Sequence, residues 1–71
     1  MRREPVESTS VTSMGYDARS ATLEIEFAGG GVYRYLGVPE RTWDRLRAAE
    51  SKGRFVNAFV KNRYRFMRAR S

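Results

Sequence analysis

The residues best suited to bind a ligand lie near the C-terminal end of the 71-residue chain. Residues 52–71 contain seven basic residues and no acid, whereas residues 1–51 contain seven basic and eight acidic residues. The net charge of +6 therefore comes entirely from residues 52–71, where tyrosine and phenylalanine are interleaved with arginine and lysine. Basic side chains neutralise phosphates and aromatic rings stack on bases, so this mixture is typical of a surface that binds a polyanion. A basic segment that is merely solvated is the alternative, and the composition does not separate the two.

Two conformations of the basic segment are compatible with its sequence. Wound as a helix over residues 54–68, it places basic residues on one side and apolar residues on the other, but Arg63 falls among the apolar residues. Alternatively, the helix ends near residue 62 and an irregular or extended tail follows. In both cases the predicted nucleic-acid contacts are Arg54, Lys61, Arg63, Tyr64, Arg65, Phe66 and Arg68. Phosphate contacts of this kind are salt-dependent and do not read a base sequence, while Tyr64 or Phe66 can stack on a base.

No group of catalytic or metal-binding residues is evident. The chain has neither histidine nor cysteine, which removes the usual nucleophile–base pairs and the usual zinc ligands. Tyr16 precedes Asp17, but neighbouring residues of a strand point to opposite faces, which favours packing for Tyr16 and a turn for Asp17. The glycines at 29–31 lack the Lys-Ser/Thr of a phosphate-binding loop. We therefore predict a protein that is not an enzyme and that uses no metal and no cofactor.

Three antiparallel strands are predicted before the basic segment. Residues 8–16 are rich in serine and threonine, which is typical of a polar strand at the edge of a sheet. Residues 22–28 alternate apolar and polar side chains, as a half-buried strand does. Residues 32–37 form the third predicted strand, and the glycines at 29–31 between them suit a tight hairpin.

The orientation of Tyr33 and Tyr35 decides whether these rings belong to the core or to an exposed surface that stacks on bases. A three-residue loop at 29–31 predicts the cross-strand pairs Phe27–Tyr33, Ile25–Tyr35 and Glu26–Arg34. A slip of one residue would bury Arg34 without a partner, which is costly. We therefore predict that both tyrosines are core residues with their hydroxyls at the rim, and exposed stacking is the less favoured alternative.

Two helices are predicted after the strands. The first spans residues 38–51, with Pro39 at its first position. Its buried residues are predicted to be Trp43, Leu46 and Ala49. Ser51 is predicted to cap the second helix, which runs at least to Asn62. Within it, Asn57 either contacts a ligand or, as is commoner, bonds a nearby carbonyl. The elements together predict an α+β fold, a three-stranded antiparallel β-meander with two C-terminal helices packed on one face.

The order of these motifs resembles the KTSC domain, a small family named for the C-terminal domain of some lysyl-tRNA synthetases and also found as stand-alone bacterial proteins. The resemblance covers about residues 8–68. It rests on Tyr33-Arg34-Tyr35, Gly15-Tyr16-Asp17, Val38-Pro39 and the run Ser51-x-Gly53-x-Phe55-x-Asn57. Trp43 departs mildly from it, because the family often has another aromatic residue there. The resemblance implies the same fold and, through the synthetases, RNA as a candidate partner; it implies no catalytic residues.

These observations predict how the chain is organised and what it does. We expect a flexible arm at residues 1–7, a single domain at residues 8–68 and a basic tail end at residues 69–71. No apolar run approaches the length of a membrane-spanning helix, so we expect a cytoplasmic protein without a membrane partner. The predicted function is binding of RNA, such as a tRNA-like molecule, or of another polyanion. The alternative is a protein-interaction module that forms homo-oligomers through its serine- and threonine-rich edge strand.

Overall fold

The computed structural model describes residues 2–69 of the chain. Within this range a five-stranded antiparallel sheet has its strands side by side in chain order, and two helices are inserted between the fourth and the fifth strand. The elements are β1 (Glu4–Pro5), β2 (Val11–Asp17), β3 (Thr22–Phe27), β4 (Val32–Tyr35), α1 (Glu40–Ala48), α2 (Lys52–Phe59) and β5 (Phe66–Ala69).

The α+β class with an antiparallel sheet and two helices is confirmed, but the prediction of three strands is wrong. Strand β1 contains only two residues, one of them proline, so no alternating pattern marks it. Strand β5 lies in the basic segment and most of its side chains are exposed, so no buried face marks it either. Helix α2 ends at Phe59, before the predicted Asn62, and the chain beyond the following turn is extended. Of the two alternatives for the basic segment, the extended one is therefore confirmed.

The hairpin between β3 and β4 keeps the predicted faces but not the predicted register. Its loop begins one residue earlier, because the Phe27 N–H donates to the Gly31 oxygen at 2.8 Å. Gly30, with a φ of +100°, supplies the left-handed conformation in this loop. The observed pairs are Leu23–Tyr35, Glu24–Arg34, Ile25–Tyr33 and Glu26–Val32. A shift of two residues leaves every side chain on its predicted face, since side chains alternate with a period of two.

Both helices pack on one face of the sheet and complete the core. The buried cluster joins Leu23, Ile25 and Tyr35 of the sheet to side chains from both helices, among them Trp43, Leu46 and Val56. The predicted cap of α2 is confirmed, because the Ser51 hydroxyl accepts a hydrogen bond from the Arg54 N–H at 3.2 Å. Neither of the helices within residues 2–69 is long and apolar enough to cross a membrane.

The opposite face of the sheet is organised around a buried carboxylate. Glu24 is 6 % exposed, and one of its oxygens lies 2.7 Å from the Arg34 Nε on the neighbouring strand. Its other oxygen lies 3.3 Å from the Arg3 Nε. Arg34 therefore pairs with Glu24 and not with Glu26 as predicted, because the hairpin loop starts earlier. Glu26 instead accepts a hydrogen bond from the Ser13 hydroxyl at 2.9 Å.

The N-terminal segment is part of the sheet and covers this second face. Strand β1 pairs with Ser13 and Met14 of β2, so β2 lies inside the sheet and its predicted edge position is wrong. A Cβ at Gly15 would overlap the backbone carbonyl of Arg2, so only glycine allows the segment to cross here. The division into an arm at 1–7, a domain at 8–68 and a tail end at 69–71 stays a prediction, and Arg70 and Ser71 lie outside the described residues.

Replacing Gly15 with alanine should displace the N-terminal segment. Because the added methyl group would meet backbone and not a movable side chain, we expect the free energy of unfolding to fall by about 1–3 kcal/mol. Urea unfolding would measure this, and hydrogen exchange would show loss of amide protection in β1. Gly29→Ala is the matched control, because a Cβ there meets no atom within 4 Å. Equal stability of Gly15→Ala and the native protein would contradict the close crossing.

Candidate nucleic-acid interface

An open groove of about 580 Å³ lies beside the hairpin loop between β3 and β4. Its walls are aromatic and its ends are basic: it is lined by Phe27, Gly29, Gly31, Tyr33, Tyr35, Lys61, Asn62, Phe66 and Arg68. We call it the aromatic groove. No aspartate or glutamate lines it, so nothing in the lining opposes an anionic ligand.

Strand β5 forms one wall of the aromatic groove by pairing with β4. The register places Tyr35 opposite Phe66 and Tyr33 opposite Arg68, so these four side chains project from the helix-covered face of the sheet. The helices cover this face over β4, where Tyr35 is 3 % exposed, but not over the edge strand β5, where its cross-strand partner Phe66 is 55 % exposed. Half of the tyrosine motif is therefore core, as predicted, while Tyr33 is only partly buried and reaches the groove.

Three aromatic contacts hold the rings of the groove in place. Tyr33 lies between Phe27 and Phe66, with ring centroids 5.7 Å and 5.6 Å away, and Phe66 also contacts the ring of Tyr35 at 5.8 Å. Edge-to-face and tilted contacts at these distances stabilise an aromatic cluster beyond its buried area. Tyr33 and Tyr35 thus hold the ring of Phe66 in place, and the exposed part of that ring can stack on a planar ligand.

Two cations lie against these rings. The Lys61 Nζ is 4.9 Å from the ring centroid of Phe27, and the Arg68 guanidinium carbon is 5.9 Å from that of Tyr33. Neither cation is in an ion pair with an acid among residues 2–69. The rings hold the charges by cation–π attraction, and the charges remain available to an anion.

Burial tunes one hydroxyl of the groove. It raises the pKa of Tyr35 above its ordinary value, and the nearby Tyr33 adds to the shift. Tyr35 therefore stays protonated across the physiological range, so its hydroxyl is a neutral donor at the floor of the groove.

The structure divides the seven predicted contact residues among three places. Lys61, Phe66 and Arg68 line the aromatic groove. Arg63 and Tyr64 line a second, smaller depression between α1 and α2. Arg54 and Arg65 are exposed and line neither. Their roles as nucleic-acid contacts stay predictions.

Tyr16 and Asp17, which the sequence assigned to packing and to a turn, make contacts of those kinds. The Tyr16 hydroxyl donates to the Val38 carbonyl at 2.6 Å, and its ring stacks on Trp43 with centroids 5.7 Å apart. Burial raises the pKa of Tyr16, with a smaller contribution from the charge of Glu40. Asp17 accepts a hydrogen bond from the Arg19 N–H at 3.1 Å, as a turn-forming residue does. Within residues 2–69, no three potential metal ligands lie together.

Sequence reasoning left out Phe27, Tyr33 and Tyr35, which line the aromatic groove, and Arg41 and Arg45, which line the second depression. The rings were assigned to the core because they share a face with Leu23 and Ile25, and alternation does not show where the helical cover ends. The arginines are spaced i, i+4 in the predicted first helix, which was the available signal that they share a side of it.

Comparison with known proteins gives one consistent family. The KTSC domain family model matches residues 7–64. A protein from Tsukamurella paurometabola is 48 % identical over 62 residues, which cover 87 % of this chain and 92 % of that protein. The crystal structure of a KTSC domain protein from Yersinia pestis superimposes with a TM-score of 0.94 at 41 % identity, covering 96 % of each chain.

A larger protein contains a related segment. A lysine–tRNA ligase from Nostoc punctiforme is 37 % identical over 60 residues, which cover 84 % of this chain but only 11 % of the ligase. The similarity therefore concerns a small part of that ligase, equal in size to one domain of this kind.

The raised pKa of the buried tyrosines should make stability depend on alkaline pH. The folded state keeps the Tyr35 proton to a higher pH than the unfolded state does, so the contribution of Tyr35 to the free energy of unfolding is constant below about pH 10 and falls as the pH rises above it. Absorbance titration of tyrosinate and urea unfolding at several alkaline pH values would measure both effects. Tyr35→Phe should remove a late-titrating component. An unchanged titration curve in that variant would contradict the assignment.

Proposed function

This chain belongs to the KTSC domain family, and we propose that it is a non-enzymatic module that binds single-stranded segments of RNA in the aromatic groove. The supporting observation is that half-exposed rings and cations free of acid partners share one groove, with Phe66 55 % exposed and Lys61 and Arg68 beside the rings. Proteins that bind single strands combine these features, since rings stack on bases and cations neutralise the phosphates between them.

The groove favours unpaired bases over a duplex. Within a double helix the faces of the bases are covered by their neighbours, so a protein ring cannot stack on them without flipping a base out. At about 580 Å³ the groove has the size of a small-ligand site, so it takes a short unpaired stretch rather than a duplex. Recognition of a loop, a bulge or a strand end follows from this size.

The relatives support RNA as the nucleic acid. The lysine–tRNA ligase from Nostoc punctiforme, which contains a segment 37 % identical to this chain, acts on an RNA by its name. A module that recurs in such an enzyme and also as a separate small protein is well suited to hold RNA for chemistry done elsewhere. Arg54, Arg63 and Arg65, which are exposed but do not line the groove, would raise the local concentration of RNA without reading its sequence.

Binding of a labelled oligoribonucleotide at increasing salt would test the proposal. We expect an unpaired strand to bind more tightly than the same strand in a duplex, with the logarithm of the affinity falling linearly with the logarithm of salt concentration. Lys61→Gln with Arg68→Gln should lower that slope by about 0.7 for each phosphate contact removed. Arg2→Gln with Arg19→Gln removes the same charge from exposed positions outside the groove and is the control.

A second pair of variants separates stacking from charge. Phe66→Ala should weaken binding by about 5- to 150-fold, the equivalent of 1–3 kcal/mol per stacked base. Met67→Ala is the matched control, because Met67 is the next residue of β5, is 52 % exposed, and projects from the opposite face of the sheet. Equal losses in the two variants, or no RNA binding at low salt, would contradict the proposal.

A protein-interaction role is the second candidate, and β5 is the observation in its favour. Within residues 2–69, β5 pairs with β4 on one side and with no strand on the other, and Phe66 and Met67 are both more than half exposed. Self-pairing would bring together two copies of a strand that carries Arg68 and no acid, and this like charge disfavours it. Light scattering would decide: a dimer that ignores RNA favours this second role.

A further inference from the structure

The second depression, of about 190 Å³, lies between the first half of α1 and the end of α2. We call it the arginine pocket. Arg41 and Arg45 come from α1, four residues apart, so they lie on the same side of that helix, and Arg63 comes from the turn that follows α2. The remaining lining residues are Pro39, Thr42, Phe55, Phe59 and Tyr64. Three arginines from two separate segments therefore line one small depression.

Among residues 2–69, no aspartate or glutamate lines the arginine pocket to neutralise these three charges. The ion pairs of the same part of the chain involve Arg3, Arg34 and Arg47 instead. On the same helix, Arg47 lies over the ring of Trp43 and 3.9 Å from Glu4. Helix α1 thus directs one arginine toward an acid and two toward a site without one.

An aromatic wall of the arginine pocket holds one of its cations, Arg63. The Arg63 guanidinium carbon lies 5.9 Å from the ring centroid of Phe59, and Phe55 packs against Phe59 with centroids 4.9 Å apart. A guanidinium stacked on a ring keeps its edge free to donate hydrogen bonds in the ring plane. The hydroxyls of Thr42 and Tyr64 lie in the same lining and are further donors.

The positive end of a helix dipole adds to this charge. The pocket includes Pro39, the N-cap of α1, where no side chain accepts a hydrogen bond from the first-turn amides; Glu40 is the acid of that turn, and it does not line the pocket. The partial positive charge of a helix N-terminus favours an anion. Guanidinium forks fit the oxygens of a phosphate in a bidentate manner, and three like charges held together repel unless an anion lies between them.

We propose that the arginine pocket binds a phosphate group, independently of whether a base occupies the aromatic groove. The volume of the pocket is about 190 Å³, against about 580 Å³ for the aromatic groove. The pocket therefore admits a phosphate with its attached sugar rather than stacked bases. Terminal and backbone phosphates of a nucleic-acid strand share this chemistry, and the experiment below separates them.

Inorganic phosphate is the first probe. Nitrogen-15 NMR of the native chain, titrated with phosphate and with sodium chloride at equal ionic strength, should show phosphate-specific shifts of the Arg41, Arg45 and Arg63 side-chain signals. Arg41→Gln with Arg45→Gln should weaken phosphate binding by about tenfold or more, as loss of charge-assisted hydrogen bonds does. Arg45→Lys keeps the charge but not the fork, and should give an intermediate loss. Arg2→Gln with Arg19→Gln is the control for net charge.

Oligoribonucleotides with and without a 5′-phosphate form the second arm. If the 5′-phosphate raises the affinity for the native chain but not for the Arg41/Arg45 variant, a terminal phosphate is the ligand. If that variant loses the same affinity for both oligonucleotides, a backbone phosphate is the ligand. If phosphate shifts the NMR signals of the three arginines but the chain binds no RNA, the phosphate site is supported and the proposed function is contradicted. Phosphate and RNA binding that respond no more to the Arg41/Arg45 variant than to the control would overturn the phosphate site.

Discussion

The buried carboxylate of Glu24 is the constraint on which the arrangement of the sheet depends. It joins Arg34 of the neighbouring strand, at 2.7 Å, to Arg3 of the N-terminal segment, at 3.3 Å. Removing one partner of such a pair leaves a buried charge uncompensated, which costs far more than an exposed pair contributes. A shift of the β3–β4 pairing by one residue would leave Glu24 buried without Arg34, and it would turn Tyr33 and Tyr35 away from the helices. One ion-pair network on one face therefore fixes which rings appear on the other.

The helix-covered face of the sheet serves two purposes because the helices do not cover all of it. The core closes over Tyr35 on β4, whereas its cross-strand partner Phe66 on β5 stays exposed and Tyr33 is only partly buried. The turn between α2 and β5 then separates two basic depressions, with Lys61 facing the aromatic groove and Arg63 facing the arginine pocket. A change of length in this turn would alter both sites together.

The sequence predicted the parts of this structure that depend on a repeating pattern. The faces of β3 and β4, the burial of Trp43 and Leu46 in α1 and the Ser51 cap follow from local signals, and the structure confirms them. Two details of the prediction are wrong: β3 is buried on both faces at residues 22–25 rather than half-buried, and Ala49 lies beyond the end of α1 and is only partly buried. Strand β5 could not be predicted, because it is stabilised by backbone pairing with β4 and its side chains are largely exposed. The aromatic groove depends on that same long-range pairing. Sequence reasoning therefore found Phe66 and Arg68 as candidates but not their neighbours Phe27 and Tyr33. The loop position failed for a smaller reason: three consecutive glycines permit a turn at either of two starting residues.

The placement of β5 also has a consequence for folding kinetics. Strands β1 to β4 pair with their neighbours in sequence, so their contacts close short loops, whereas β5 must return to β4 across both helices. Contacts of low sequence separation form quickly and those that close long loops form later. The meander can therefore assemble while the wall that carries Phe66 is still absent. The groove would then form after the rest of the sheet has assembled. A chain in which β1 to β4 are paired but β5 is not would be ordered and yet have no complete ligand site.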